Sequence, residues 1–243
     1  MQPFYTLPSS GYFGGKNAPG IVHRIIQQIP KHDRFISGFL GHCAVMRWKL
    51  PALQNIGFDL NPDTIECWRL AKRSEEAGHI ALYCADYLGF KMELYPTDFV
   101  YLDPPYLHST RKSSKRYPFE LSDEMHRSLL ARFSDASCMV AISCYDSPLY
   151  SAMLPGWRKI QFEAITRSGK KATETLYMNY PEPWPSSLHD ARFSGTDFRA
   201  REKSKRRVRT ISQKIARLDT VEQAQLFAML QKNKWLATMA EAL

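Results

Sequence analysis

The sequence predicts an α/β protein: a mostly parallel sheet with helices on both faces, followed by a basic, mainly helical C-terminal extension. Three observations carry this expectation. Short continuous apolar runs alternate with segments of helical periodicity, the pattern of parallel strands covered on both faces. Several of those runs end at an aspartate. The charge is also uneven: of a net +9 over 243 residues, the segment 199–217 alone holds +8.

The elements follow in order. Ile21, Val22, Ile25, Ile26 and Ile29 recur at helical spacing until Pro30 stops the run. Phe35 and Ile36 begin a short strand. Ile56-Gly57-Phe58 is a strand leading into Asp59, and Asn61-Pro62 then supplies an N-cap and first helical residue for a helix with Ile65 and Trp68. Ile80–Cys84 is a strand ending near Asp86. Phe99–Leu102 is another, ending at Asp103. Ser122 with Asp123 and Glu124 opens a helix that buries Leu129, Leu130 and Phe133, and Met139–Ile142 is a further strand. After Tyr180, Pro181, Pro183 and Pro185 make a stiff break. Thr220-x-x-Gln223 fits a capping box for a last helix with Val221, Ala224, Phe227 and Leu230. The expected division is a core over 1–180 and a basic helical extension over 186–243, with no internal repeat.

Composition narrows the class. With 44% hydrophobic and 23% charged residues, a wholly disordered chain, a collagen and a coiled-coil rod are excluded. No apolar run approaches the ~18 residues of a membrane span. The start MQPFYTLPSSGYFGGK lacks the basic and apolar regions of a secretory signal, so a cytoplasmic protein is expected. Cys43, Cys67, Cys84, Cys138 and Cys144 are odd in number and form no CxxC pair. They are expected to be buried, reduced thiols rather than disulfides or zinc ligands, and no metal is expected.

The positive charge points to a polyanionic partner. Arg199, Arg201, Lys203, Lys205, Arg206, Arg207, Arg209, Lys214 and Arg217 are accompanied in their segment by one acid, Glu202. A second cluster, Arg111, Lys112, Lys115 and Arg116, lies in a stretch without Asp or Glu between Pro104 and Phe119. Both clusters are candidate nucleic-acid contacts.

Ligands of open α/β sheets bind beyond the carboxyl ends of the strands. Asp59, Asp86 and Asp103 fall at that edge. Each alone reads as a helix cap; three together read as a shared ligand site. Asp103-Pro104-Pro105-Tyr106 carries the chemistry. The exocyclic amine of a nucleobase is a poor nucleophile because its lone pair is delocalised into the ring. A site that methylates it must accept hydrogen bonds from both N–H groups. The Asp103 carboxylate accepts one and the Pro104 carbonyl the other, and proline adds no competing N–H. Tyr106 offers a ring for the base to stack on. A base inside a duplex must be flipped to reach such a pocket.

On these residues the chain resembles the Dam-type DNA adenine N6-methyltransferases, over roughly residues 12 to 180. The specific parts are Tyr12-Phe13-Gly14-Gly15-Lys16 and Asp103-Pro104-Pro105-Tyr106. Phe39-Leu40-Gly41, Asp59-Leu60-Asn61, Ser143-Cys144-Tyr145-Asp146 and Glu174-x-x-Tyr177 are weaker landmarks in the same order. The resemblance implies a Rossmann-like S-adenosylmethionine methyltransferase fold with S-adenosylmethionine as methyl donor. It implies that Tyr12, Phe13 and Lys16 touch the donor, with Gly14 and Gly15 allowing close approach. Phe39 and Gly41 would lie beside its methionine part, Asp59 would bind the ribose hydroxyls and Asp86 would contact the adenine. Asp103 would be the catalytic acid, set in the tetrapeptide with Pro104 and Pro105, and Tyr106 the stacking ring.

Three departures from the family pattern stand out. The loop Ser37-Gly38-Phe39-Leu40-Gly41-His42-Cys43 replaces Glu-Pro-Phe-x-Gly-x-Gly, with His42 expected to be an exposed loop residue or, as the alternative, a donor or substrate contact. Only sixteen residues separate Asp86 from Asp103, too few for the target-recognition domain of members such as Dam. The basic segment after Tyr180 stands in its place. Base edges specify a sequence, whereas phosphate contacts only position the protein. The expected activity is therefore transfer to the N6 amine of adenine in DNA at short or relaxed sites. Segment 199–217 would supply affinity, and the 107–120 loop would touch the neighbouring bases. RNA adenine methylation, cytosine N4 methylation and a non-catalytic nucleic-acid-binding protein stay as alternatives. The resemblance also allows a self-contained, phage-borne protector of DNA.

Overall fold

The computed structural model describes residues 2–8, 20–110, 119–165, 171–193 and 198–232. The chain divides into two compact units, Met1–Ile26 with His32–Glu182, and Gln27–Lys31 with Pro183–Leu243.

The first unit runs β1 (Tyr5–Thr6), α1 (Ile21–Ile26), β2 (Arg34–Ser37), α2 (Ala44–Trp48), β3 (Gln54–Asp59), α3 (Pro62–Arg69), β4 (Lys72–Arg73) and β5 (Ile80–Cys84). It continues with β6 (Asp98–Leu102), α4 (Asp123–Phe133), β7 (Met139–Cys144), α5 (Pro148–Met153), β8 (Arg158–Ile165) and β9 (Lys171–Met178). Seven strands form one sheet in the order β5-β3-β2-β6-β7-β9-β8, and β1 pairs with β4 apart from it. The pairings from β5 through β7 are parallel. Strand β9 runs antiparallel to both β7 and β8. The fold class is thus the expected α/β, mostly parallel and Rossmann-like. The terminal hairpin β8–β9, the short helices α2 and α5, and the β1–β4 pair are additions that the sequence reading did not contain.

Period-two alternation builds both faces. Ile36, Ile56, Val100, Leu102, Val140 and Ile142 join Leu129, Leu130 and Phe133 of α4 and Tyr150 of α5 in one buried cluster. The alternate residues Phe35, Phe99 and Tyr101 are equally buried and stack on one another, with Phe35 5.8 Å from Phe99 and 6.4 Å from Tyr101. Continuous apolar runs are what a sheet covered on both sides requires. Register between β2 and β6 is pinned at their amino ends by a bidentate pair, Arg34 Nε donating to Asp98 Oδ1 at 2.7 Å. Arg34 stands opposite Asp98, and Ser37 therefore opposite Tyr101.

Caps behave as local chemistry dictates. Asn61 Oδ1 accepts from Asp63 N–H at 3.0 Å to open α3, and Ser122 Oγ accepts from Met125 N–H at 3.2 Å to open α4.

In the second unit α1's expected continuation ends early. Ile29 and Pro30 are extended instead: Pro30 bridges Leu188 and the Ile29 carbonyl accepts from His189 N–H. The residue before a proline avoids the helical region, so the helix does not run on to Ile29, and α1 ends at Ile26. Helices α6 (Phe198–Ile215) and α7 (Thr220–Lys232) follow. The cap of α7 lies one residue earlier than expected. Asp219 Oδ1 accepts from Val221 and Glu222 N–H, while Glu222 Oε2 accepts from Asp219 N–H. This reciprocal box is Asp219-x-x-Glu222, and a carboxylate there also suits the positive end of the helix dipole.

Candidate active site

The strand order reverses between β2 and β6: β3 and β5 lie on one side, β7 on the other. The cleft beyond the carboxyl ends at such a switch point is where doubly wound sheets bind ligands. The loop 38–43 leaves β2 there, and Asp103 leaves β6 beside it.

Backbone groups of the β2 loop tie it to its neighbours. Gly38 N–H donates to the Tyr101 carbonyl, Leu40 N–H to Phe58 and Cys43 N–H to Leu40. Gly38 admits no side chain: a Cβ would stand 2.4 Å from the Tyr87 ring and 2.7 Å from Leu102. Gly41 has φ +41°, a left-handed conformation that glycine adopts without penalty. Its N–H donates to Asp59 Oδ2 at 2.7 Å, and its carbonyl accepts from Trp68 Nε1 at 2.7 Å. Asp59 Oδ1 accepts from Asn61 N–H at 2.8 Å. Burial raises the Asp59 pKa, and these two backbone bonds pull the other way.

The departures in this loop now have physical reasons. Cys43 is the N-cap of α2, its Sγ accepting from Met46 N–H at 3.4 Å. Burial, foremost, pushes its thiol pKa up to about 11. Ser37 is fully buried, and its hydroxyl has no hydrogen bond of ordinary geometry, although it lies near enough to the Cys43 thiol to lower its pKa slightly. His42 corrects the expectation of an exposed loop residue: it is 6% exposed, and burial, then Arg47, lowers its pKa. The thiol expectation holds for Cys43, Cys138 and Cys144, but Cys67 is partly exposed and Cys84 exposed at the end of an edge strand; none of the five is in a disulfide.

On the other side, Asp103 is partly buried and Pro104 and Tyr106 are buried. The charge of Asp103 raises the pKa values of Cys43, Tyr101, Tyr106 and Tyr150. It therefore lies within electrostatic reach of the β2 loop as well as of its own strand. Tyr106 Oη donates to Glu174 Oε2 at 2.6 Å, and its ring meets Tyr145 at 4.6 Å and 68°. Tyr101 shares a hydrogen bond with Ser143 at 2.9 Å. Asp146 accepts from Tyr177 and, at 3.0 Å, from Lys159.

The expected site residues are thus only partly assembled. Phe39 packs against the core cluster, near Gly41 in the same loop. Asp86 lies two residues beyond β5, exposed, with Oδ1 accepting from Leu88 N–H at 3.0 Å, the geometry of a local turn cap. Tyr12, Phe13, Gly14, Gly15 and Lys16, and the cluster Arg111, Lys112, Lys115 and Arg116, lie outside the described residues. On α6, Arg199, Lys203, Lys205, Arg206, Arg207 and Arg209 are exposed. Arg201 departs from this set at 8% exposure, because it lies in the first turn of a helix that packs on the short turn Ala191–Phe193. Among the described residues no group of three or more His, Cys, Asp or Glu could hold a metal, and no helix is long and apolar enough to cross a membrane.

Sheet order and the reversal between β2 and β6 define a Rossmann-like α/β fold. The family model of the D12 class N6 adenine-specific DNA methyltransferases matches residues 12–83, so the resemblance read from the motifs holds over that segment. Comparison with curated proteins gives no match. Among solved structures, the chain is similar to an rRNA methylase from Streptococcus thermophilus, with 10% identity and TM-score 0.42, covering 65% of this chain and 93% of that one. It is similar to the 23S rRNA methyltransferase ErmE, with 13% identity and TM-score 0.43, covering 82% and 84%. A dimethyladenosine transferase from Plasmodium falciparum gives 12% identity and TM-score 0.41, covering 66% and 62%.

Proposed function

We propose that the protein transfers a methyl group from S-adenosylmethionine to the N6 amine of adenine in DNA, on a flipped base and at short or relaxed sites. The observation that carries this reading is the placement of Asp103-Pro104-Pro105-Tyr106 at the carboxyl end of β6, beside the β2 loop at the switch point.

The residues present fit the donor. Asp59 spends one lone pair of each oxygen on a backbone N–H, so each oxygen keeps accepting capacity for one of two adjacent ribose hydroxyls. The buried Ser37 hydroxyl, close to the Cys43 thiol, is a further polar group beside the same loop. Phe39 and the left-handed Gly41 shape the loop, with Tyr12, Phe13, Gly14, Gly15, Lys16 and Asp86 as further donor contacts on the resemblance. When bound, S-adenosylmethionine supplies an electrophilic methyl on a sulfonium. The Asp103 carboxylate accepts one amine N–H and the Pro104 carbonyl the other, drawing the nitrogen toward a tetrahedral geometry with its lone pair free. Pro105 stiffens the turn, and Tyr106 provides the stacking ring. Fixing these acceptors in advance saves reorganisation during the reaction. The exposed cations of α6, with the 111–116 cluster, hold the phosphate backbone and add affinity without reading sequence.

Methyl transfer from labelled donor to plasmid DNA, beside RNA and with product nucleosides resolved by mass spectrometry, tests the reading. N6-methyladenine in DNA, lost in Asp103→Ala, is the expected product. N4-methylcytosine, or label in RNA alone, would overturn it. Sequencing of methylated positions after exhaustive reaction is expected to give a short or loose site; a strict six-base-pair word would refute that part. Replacing Lys203, Lys205, Arg206, Arg207 and Arg209 by Gln is expected to flatten the log affinity against log salt slope by several units, at about 0.9 per neutralised phosphate.

A further inference from the structure

We infer that Glu174 is a positioning residue of the site, holding the Tyr106 ring through the hydroxyl; the inference rests on the reading of Tyr106 as the ring that receives the base. The topology puts Glu174 there. Strand β9 runs against the direction of β7, and their ladder closes at Cys144 opposite Thr175. The next residue, Glu174, therefore reaches the sheet edge at which β6 delivers Asp103. A residue some seventy positions along the chain thus meets the tetrapeptide, and Tyr106 Oη donates to its Oε2 at 2.6 Å.

Two physical points mark this bond as more than packing. Both side chains are 7% exposed, and a polar pair in that setting is costly unless its hydrogen bond is made. Two apolar side chains of similar shape would fill the same space without that cost. Second, the Tyr106 hydroxyl remains a donor. Burial, followed by the charges of Asp103 and Glu174, raises its pKa well above that of an ordinary phenol. The ring is then fixed at three places: its backbone beside Pro105, its contact with Tyr145 at 4.6 Å, and its hydroxyl on Glu174. Packing alone leaves a ring some freedom to tilt; a bond at the far end of the ring removes it. A stacking platform depends on that plane.

The test uses the full-length chain with Glu174→Gln, Glu174→Leu, Tyr106→Phe and the double variant Glu174→Leu/Tyr106→Phe. KM for plasmid DNA, KM for S-adenosylmethionine and kcat are measured separately, with S-adenosylhomocysteine binding followed by calorimetry. Glu174→Leu is expected to lower kcat/KM for DNA by roughly 10- to 100-fold while donor binding stays within about twofold. Glu174→Gln, whose amide oxygen still accepts, is expected to recover most of that loss. Tyr106→Phe is expected to match Glu174→Leu, and the double variant to be no worse than either, as for two ends of one bond. Losses that multiply, a Gln variant as poor as Leu, or donor binding that falls in step with DNA turnover would overturn the inference. Should Glu174→Leu fail to fold, the contrast between Tyr106→Phe and Glu174→Gln decides it. Transfer at full rate by Glu174→Leu and Tyr106→Phe would sink this inference alone, whereas no transfer to DNA by the unsubstituted chain would sink the reading on which it rests.

Discussion

Two loops leave the same edge of the sheet and are held by opposite means. The loop after β2 is tied to its immediate surroundings. Its N–H groups bond backbone carbonyls of β3 and β6 and one carboxylate, Asp59, eighteen residues away. The loop after β6 has its ring anchored by side chains from further along the chain, Tyr145 and Glu174. The first loop is therefore set once β2 has paired with β3 and β6. The second needs the antiparallel β9 as well. Donor binding should then survive damage on the β7–β9 side, and base chemistry should fail without loss of the donor site.

The largest expected effect is at Asp103. Asp103→Ala should reduce kcat by about 10²- to 10³-fold, with S-adenosylhomocysteine affinity unchanged by calorimetry. A parallel fall in donor affinity would erase the distinction between the loops. Next comes Gly38→Ala, which forces a Cβ against Tyr87 and Leu102 and should cost about 1–3 kcal/mol, read as a fall in Tm. Asp59→Asn keeps one acceptor oxygen and loses the other. It should raise KM for the donor roughly tenfold and leave KM for DNA alone.

The smallest effects are in pH dependence, and they belong to the β2 loop. The folded-state pKa of His42 is lowered, so the unfolded chain takes up the proton first. Stability contributed by the neutral ring is present above about pH 6.5 and falls as pH drops below it. Cys43 is displaced the other way, to about 11. The unfolded thiol ionises first as pH rises, so stability falls above pH ~8.5 and is lost through the folded-state pKa. Unfolding curves at pH 5, 7.5 and 9.5 should therefore peak at the middle value. Alkylation of native protein near pH 8 should label exposed Cys84 and spare Cys43; fast labelling of Cys43 would mean that its loop opens.

Much of the scaffold was legible because its signals are local. Four buried strands and two capped helices follow from apolar runs and from Asn61 and Ser122, each acting within a few residues of itself. The structure departs from the expectation where a local rule has two close solutions. Thr220-x-x-Gln223 and Asp219-x-x-Glu222 both satisfy a capping pattern, and the carboxylates won. His42 does lie in a loop, but it is buried rather than exposed; its burial is a property of what packs over it. Glu174 was visible as a landmark without a partner. Strands β8 and β9 carry mixed polar and apolar residues and gave no clear run, although Ser168-Gly169 between them is a turn signal.

By itself the sequence determined the class of sheet and the placing of Asp103-Pro104-Pro105-Tyr106 at the carboxyl end of a strand, because periodicity, caps and a four-residue motif are all short-range. Only the tertiary structure decided that Cys43 caps a helix where a glycine was expected, that His42 and Arg201 are buried, and that Glu174 meets Tyr106. Those outcomes depend on strand order and direction, which bring together residues that no local pattern in the chain relates.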